Sequence, residues 1–187
     1  MKKGIGIALL SWLFALSGCS VTAKPVDSND ISIEAYEVSK DHVFYENLQV
    51  KTKGFGGTVS VLISRNKISE VKNNAAKTSL IKALSESQLY GEDGDFTLLM
   101  TLIRDDFDSD TNTREVEIKY DVVENKKGEM VFSRNIVSLG KAPMNIYFLG
   151  DTGDASYRSA TSAFENNFID FITFIIDTDI NNHIDED

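Results

Sequence analysis

The chain contains one cysteine, Cys19, which directly follows Leu16, Ser17 and Gly18. A thiolate is a strong nucleophile that can be oxidised, paired in a disulfide or bonded to another group. A disulfide within the chain would need a second cysteine, and the sequence has none. Covalent modification of this sulfur is therefore the first chemistry that the sequence raises. A free or intermolecularly paired thiol behind an ordinary secretory signal remains the alternative.

The residues before Cys19 have the pattern of an export signal. Lys2 and Lys3 are followed by an apolar run over residues 5–16, which is too short to span a bilayer. Small residues then precede the cysteine, and the arrangement resembles a bacterial lipobox. That resemblance implies cleavage before Cys19 and attachment of lipid to its thiol and to the new amino group. Ser20 is typical of lipoproteins that reach the outer membrane, so the resemblance implies anchoring there, on the periplasmic face.

For catalysis the sequence offers little. The two histidines, His42 and His183, have no serine, cysteine or carboxylate partner defined by a motif, and no nucleophile elbow or histidine-rich metal motif occurs. We therefore expect no enzyme activity and no cofactor besides the covalent lipid.

Two acidic stretches have partial calcium-loop spacing. The first contains Asp106, Asp108, Asp110, Asn112 and Glu117, but Thr111 occupies the position that needs glycine. The second contains Asp177, Asp179, Asn181 and Asp185. The sequence stops at Asp187, one residue before the twelfth loop position, where the last carboxylate ligand would lie. A solvated hairpin loop and an acidic tail are the simpler interpretations, with weak calcium binding as the alternative.

Charge excludes one class of partner. The 187 residues carry a formal net charge of −10 and show no basic stripe, so we expect no binding to nucleic acid. The same charge disfavours anionic headgroups, so the acyl chains would provide the contact with the membrane.

Periodicity divides the rest of the chain into segments of regular structure. Alternating or apolar segments predict one or two strands within 31–38 and 42–51, and further strands at 96–103, 115–122 and 129–137. Helical spacing predicts a first helix over 66–90, with Asn66 as its N-cap and Gly91 as its stop, and a second over 156–176. Gly128 marks a hairpin turn at 125–128.

These elements predict an α+β protein. We expect a two-layer sandwich in which a mostly antiparallel sheet of about four to five strands packs one face against two helices. The predicted organisation is a signal peptide at 1–18, a lipidated tether at 19–30, one domain at 31–176 and an acidic tail at 177–187.

Aromatic residues are the candidate partner contacts. Phe55 lies in a glycine-rich loop at 54–57, and Phe168, Phe171 and Phe174 lie in a segment more apolar than one helix face can bury. An exposed groove for a partner or an acyl chain is one interpretation. The other is a helix buried between the sheet and the N-terminal strands, with Phe55 in a simple connection.

The order of elements, with Ala75-Ala76, Ser79-Leu80, Tyr157-Arg158-Ser159-Ala160 and the run 167–172, resembles small proteobacterial outer-membrane lipoproteins. The YajG-like group is nearest, followed by LptE-like and ABC-transport auxiliary lipoproteins. The resemblance implies a non-catalytic accessory that contacts an envelope protein. A lipid- or glycan-binding carrier is the alternative, and an envelope hydrolase built on His42 or His183 is a third hypothesis.

Overall fold

The structure is a computed structural model, and it describes residues 28–53, 70–142 and 152–178. Six elements occur there: β1 (Leu48–Lys53), α1 (Glu70–Glu86), β2 (Phe96–Asp108), β3 (Thr113–Glu124), β4 (Glu129–Lys141) and α2 (Thr152–Asp177). Cys19, Phe55, His183 and the predicted N-cap Asn66 lie outside the described residues, as do the ligand candidates Asp179, Asn181 and Asp185. Within those described ranges, neither helix is long and apolar enough to cross a membrane.

The four strands form one sheet in the order β1-β2-β3-β4. β2, β3 and β4 are successive antiparallel strands, whereas β1 pairs with β2 in parallel. A parallel pair cannot be joined by a tight turn, so the chain crosses from β1 to β2 through a connection that includes α1. The α+β class, the antiparallel majority and the packing of a helix against the sheet are confirmed.

Strict alternation in β3 defines the two faces of the sheet. Val116, Ile118, Tyr120 and Val122 are completely buried, whereas Glu117 and Lys119, which alternate with them, are partly exposed. We call the face with these buried residues the inner face and the opposite one the outer face. The inner face packs on the helices in a single core that includes Leu80 and Leu84 of α1 and Phe164, Phe168, Phe171 and Ile175 of α2.

α2 lies very close to β4. A Cβ atom added to Gly140 of β4 would lie 2.0 Å from the carbonyl oxygen of Ser159 and 2.4 Å from the backbone nitrogen of Ala163. Only glycine therefore allows the strand backbone to approach the helix backbone at this point. Ala160, also buried, adds to the small residues on this side of α2.

The first helix ends earlier than the sequence predicts. α1 stops at Glu86, and the left-handed residue after it is Gln88, with φ of 58°. The chain turns there because Leu89, which is fully buried, returns to the core and its carbonyl accepts hydrogen bonds from Asn47 and Leu48. Gly91, the predicted stop, lies beyond this turn.

The N-terminal part of the described chain contains no strand before β1. Residues 28–30 form a turn and residues 31–39 have no regular secondary structure, and we call residues 28–39 the strap. Residues 40–47 form turns, so of the one or two strands predicted within 31–38 and 42–51, one forms, and it covers Leu48–Lys53. The strap is held between the helices. Ile31 and Ile33 are buried in the core, the Ser32 amide donates to Glu165 of α2, and the Tyr36 amide donates to Ser87 just after α1.

The predicted turn at 125–128 is confirmed. It joins β3 to β4, and Gly128 has a φ of 72°, a conformation that other residues rarely adopt. The Asn125 side chain secures the turn, because its Nδ2 donates to the Gly94 carbonyl and its Oδ1 accepts from Thr97.

Candidate functional site

The outer face of the sheet exposes large apolar side chains near the β2–β3 hairpin. Ile103, Val137 and Leu139 are 51%, 51% and 58% exposed. Val137 pairs with Glu117 and Leu139 with Glu115, so both lie on the outer face of the edge strand β4. Exposed apolar groups of this size, grouped on one surface, are typical of interaction sites.

Charged side chains lie between these apolar groups. Arg104 of β2 forms ion pairs with Glu115 and with Glu117, the second at 3.5 Å. Asp106 lies opposite Glu115 in the register of β2 and β3. Asn135 Nδ2 also donates to Glu117 Oε1 at 2.9 Å. Two carboxylates therefore share one guanidinium group, and Asp106 places a third carboxylate opposite Glu115. We call Ile103, Asp106, Glu115, Glu117, Val137 and Leu139 the outer patch.

A bulge in β2 creates this arrangement. The pairing with β3 skips Ile103 between Leu102 and Arg104, so the side chains after the bulge change faces. Ile103 is pushed outwards, Arg104 points to the outer face, and Asp105 turns inwards opposite Val116. If residues 102–105 instead alternated regularly with no bulge, Ile103 would pair with Glu117, Arg104 would point into the core and Asp105 would lie on the outer face.

The inward turn of Asp105 forms a buried ion pair at the start of α2. Asp105 Oδ1 accepts from Arg114 Nε, and both side chains are under 5% exposed. Arg114 Nη1 also donates to the carbonyl and the hydroxyl of Ser156, at 3.2 and 3.1 Å. Among the described residues Asp105 Oδ2 has no hydrogen-bond partner, so this pair fastens the hairpin to the helix while leaving one oxygen unsatisfied.

A second polar network crosses the centre of the helix–sheet interface. The Tyr120 hydroxyl donates to Asn167 Oδ1 at 2.6 Å, and Asn167 Nδ2 donates to the Ile136 carbonyl and to Ser138 Oγ. Ser138 in turn donates to Asp170. Burial, and secondarily the charge of Asp170, raises the pKa of Tyr120 well above its usual value, so the hydroxyl stays protonated and acts as a donor. This network positions α2 over β3 and β4.

The predicted aromatic contacts have a different role. Phe168 and Phe171 are fully buried, and Phe171 stacks on Tyr120 with ring centroids 4.0 Å apart. They form the core rather than a partner surface, which corrects the expectation for these two residues. Phe174 is half-buried, packs edge-on against Phe132 and lies under the Arg134 guanidinium.

His42 is occupied by backbone groups. Its Nδ1 accepts from the Phe44 amide at 3.2 Å, so its Nε2 carries the proton and donates to the Ile175 carbonyl at 3.1 Å. The imidazole thereby ties the turn region 40–47 to the end of α2, and it lies in a turn rather than in the predicted strand.

The first acidic stretch forms the tip of the β2–β3 hairpin. Asp108 Oδ1 accepts from the Asp110 amide at 2.9 Å, and its Oδ2 accepts from the Thr111 hydroxyl at 2.7 Å. These bonds lower the pKa of Asp108, the hydroxyl bond contributing most. Over residues 28–53, 70–142 and 152–178, no group of three potential ligands is placed to hold a metal ion, and Asp177 is the only residue of the second stretch described there.

Sequence reasoning missed the outer patch. It ended the last strand at residue 137, before Leu139, and it did not detect the bulge. One signal was present: apolar residues on β4 at 137 and 139, two positions apart, that must share a face with Glu115 and Glu117 of the neighbouring strand.

Comparison with known proteins supports the fold. No family model matches the sequence, and no curated protein matches it. A Xanthomonas campestris protein of the family DUF330 has a similar structure, with a TM-score of 0.57, 10% identity, and coverage of 81% of this chain and 95% of the other. A Caulobacter crescentus protein described as a candidate lipoprotein matches at a TM-score of 0.36 and 14% identity, over 69% and 92% of the two chains. The chain therefore shares its fold with the Xanthomonas protein.

Proposed function

We propose that this protein is a lipid-anchored, non-catalytic accessory of the bacterial cell envelope that works by contacting another envelope protein. In this proposal Cys19 carries the lipid, and the folded part presents the outer patch to its partner at the periplasmic face of the outer membrane.

The observation that carries the proposal is the exposure of Val137 and Leu139 on an edge strand. Both are more than half exposed, although they lie on a sheet whose other face contributes most of its apolar side chains to the core. Leaving these groups in water has a cost of about 25 cal/mol for each Å² of apolar surface, which a partner would remove. The histidine described here supports the non-catalytic part, because both nitrogens of His42 are bonded to backbone groups.

The position of the strap supports a role near a membrane. Asp30 contacts Tyr157, and Arg114 contacts Ser156, so the start of the strap and the first residues of β3, next to the tip of the β2–β3 hairpin, meet near the start of α2. The outer patch lies on the strands that run into that hairpin. The chain that leads to Cys19 therefore enters the described fold at the end of the sheet that carries the patch, which favours the approach of this end to the bilayer in the proposal.

Chemical crosslinking in intact cells, followed by mass spectrometry, tests the proposal. The full chain should form a product with an envelope protein, and Leu139→Asp should reduce its yield about tenfold, equivalent to about 1.4 kcal/mol of binding. Met130→Asp is the matched control, since Met130 is 55% exposed on the same strand but lies beside the distant 125–128 turn. Absence of any product with an envelope protein, from the unaltered chain, would contradict the proposal.

A further inference from the structure

We infer that the partner binds the outer patch with a basic side chain, lysine or arginine, set beside apolar groups. This inference rests on the proposed function and goes further by stating the chemistry of the partner surface.

The first argument is an imbalance of charge. Asp106, Glu115 and Glu117 carry three negative charges, and Arg104 between them carries one positive charge. The patch and Arg104 together therefore have a net charge of about −2 at neutral pH, within a chain whose net charge is −10. An incoming cation would find acceptor oxygens, since one guanidinium group cannot use the full acceptor capacity of three carboxylates.

The second argument is partial desolvation. The side chains of Glu115 and Glu117 are only 34% and 19% exposed, and Val137 and Leu139 lie directly across from them on β4. A partner that covers these apolar groups would remove water from the carboxylates as well. That step is unfavourable unless the partner supplies a positive charge, because a desolvated carboxylate needs an ionic or hydrogen-bonding partner.

The third argument concerns the class of partner. A second copy of this chain would bring a patch of the same negative sign against the first, and an anionic lipid surface would do the same. A protein surface with apolar groups around a lysine or arginine would cover the apolar side chains of the patch and pair with its carboxylates. Arginine and aromatic side chains are also enriched at the centres of protein interfaces.

Site-specific photocrosslinking tests the inference in cells that make the full chain. A photoreactive residue replaces Val137, and in a parallel strain it replaces Met130 as the remote position. We expect a product with an envelope protein from position 137 only, and a crosslinked partner peptide that contains lysine or arginine. The product should disappear from isolated envelopes washed in high salt before irradiation, because ionic contacts weaken as salt rises.

Neutralisation of the patch gives the second readout. In the strain with the photoreactive residue at 137, Asp106→Asn, Glu115→Gln and Glu117→Gln together should lower the yield at least tenfold. Asp106→Asn alone, which leaves the Arg104 ion pairs intact, should lower it several-fold and serves if the triple variant does not fold. Glu92→Gln, Asp93→Asn and Glu129→Gln remove the same number of charges from exposed positions elsewhere and should leave the yield unchanged.

Different failures have different meanings. A product that neutralisation and salt leave unchanged overturns the inference, as does a product with a second copy of the chain or with lipid. A product with an envelope protein at position 137 that persists after neutralisation and high salt overturns the inference while the proposed function stands, whereas products only from other positions overturn both the inference and the assignment of the partner to the outer patch. Absence of products with envelope proteins from every position overturns both.

Discussion

At the scale of single residues, the pair Asp105–Arg114 stabilises the fold from a buried position. Arg114 satisfies one carboxylate oxygen and two acceptors of Ser156, so its removal would leave a negative charge in the core. We expect Arg114→Met to lower the free energy of unfolding by about 3–5 kcal/mol, which urea denaturation would measure. The double variant Asp105→Leu/Arg114→Met should lose clearly less, because no unpaired charge remains. An equal or larger loss in the double variant would contradict this account.

The lowered pKa of the Asp108 carboxyl group can be measured directly by titration. Because hydrogen bonds from Thr111 and Asp110 lower its pKa in the folded chain, its contribution to stability is present above the ordinary aspartate pKa. The contribution is lost as the pH falls through the lowered pKa of the folded state. Carboxyl-carbon NMR titration should show Thr111→Val returning the Asp108 pKa towards its unfolded value. An unchanged pKa in that variant would show that the hydroxyl bond is not the main cause.

At the scale of elements, the contact between β4 and α2 depends on Gly140. We expect Gly140→Ala to lower the free energy of unfolding by about 3 kcal/mol or more, the upper part of the range for overpacked sites. The obstructing atoms belong to the backbone of Ser159 and Ala163, so shortening either side chain should not restore stability. Gly128→Ala is the comparison: its Cβ meets nothing within 4 Å, and the left-handed φ alone should cost about 1–2 kcal/mol. Thermal and urea unfolding of both variants would measure the two losses in the free energy of unfolding.

The elements also show what periodicity can predict and what it cannot. β3 and α2 were predicted well because each has a single buried side, Val116 to Val122 at every second residue and Ala160 to Ile175 at every third or fourth. Ile31 and Ile33 are also buried at alternate positions, but this spacing indicates only that one side of an extended chain is buried. It cannot tell whether the neighbour is a strand, which supplies backbone hydrogen bonds, or two helices, as found here. For this reason residues 31–38, one of the two segments where a strand was predicted, do not form one.

The outer patch was harder to predict for a related reason. The β2 bulge changes which side chains share a face, but Leu102 and Ile103 are both apolar and give no local sign of the inserted residue. The pairing register with β3 is what places Arg104 beside Glu115 and Glu117, and register is a property of two strands rather than one. The ion pairs therefore could not be read from either segment alone.

At the scale of the whole molecule, the proposed anchor decides where the protein acts. Cys19→Ser should release the protein from the sedimented envelope fraction into the soluble fraction and abolish incorporation of radiolabelled palmitate. Ser20→Asp is the matched change at the next position; it should keep the label and move the protein towards the inner membrane. Fractionation with membrane markers measures both effects. Retention of Cys19→Ser in the envelope fraction would contradict lipid anchoring.

The docking of the strap against the helices limits how far the folded domain can lie from Cys19. Ser28 already contacts Ser79 of α1, so eight residues, or nine steps from Cα to Cα, separate it from Cys19. A chain of that length spans at most about 32 Å even when fully stretched. If the sulfur is held in the bilayer, the domain is confined to a thin layer of periplasm beside that membrane. Soluble proteins deeper in the compartment would then have to diffuse to it, whereas proteins embedded in the same bilayer would meet it by lateral motion alone.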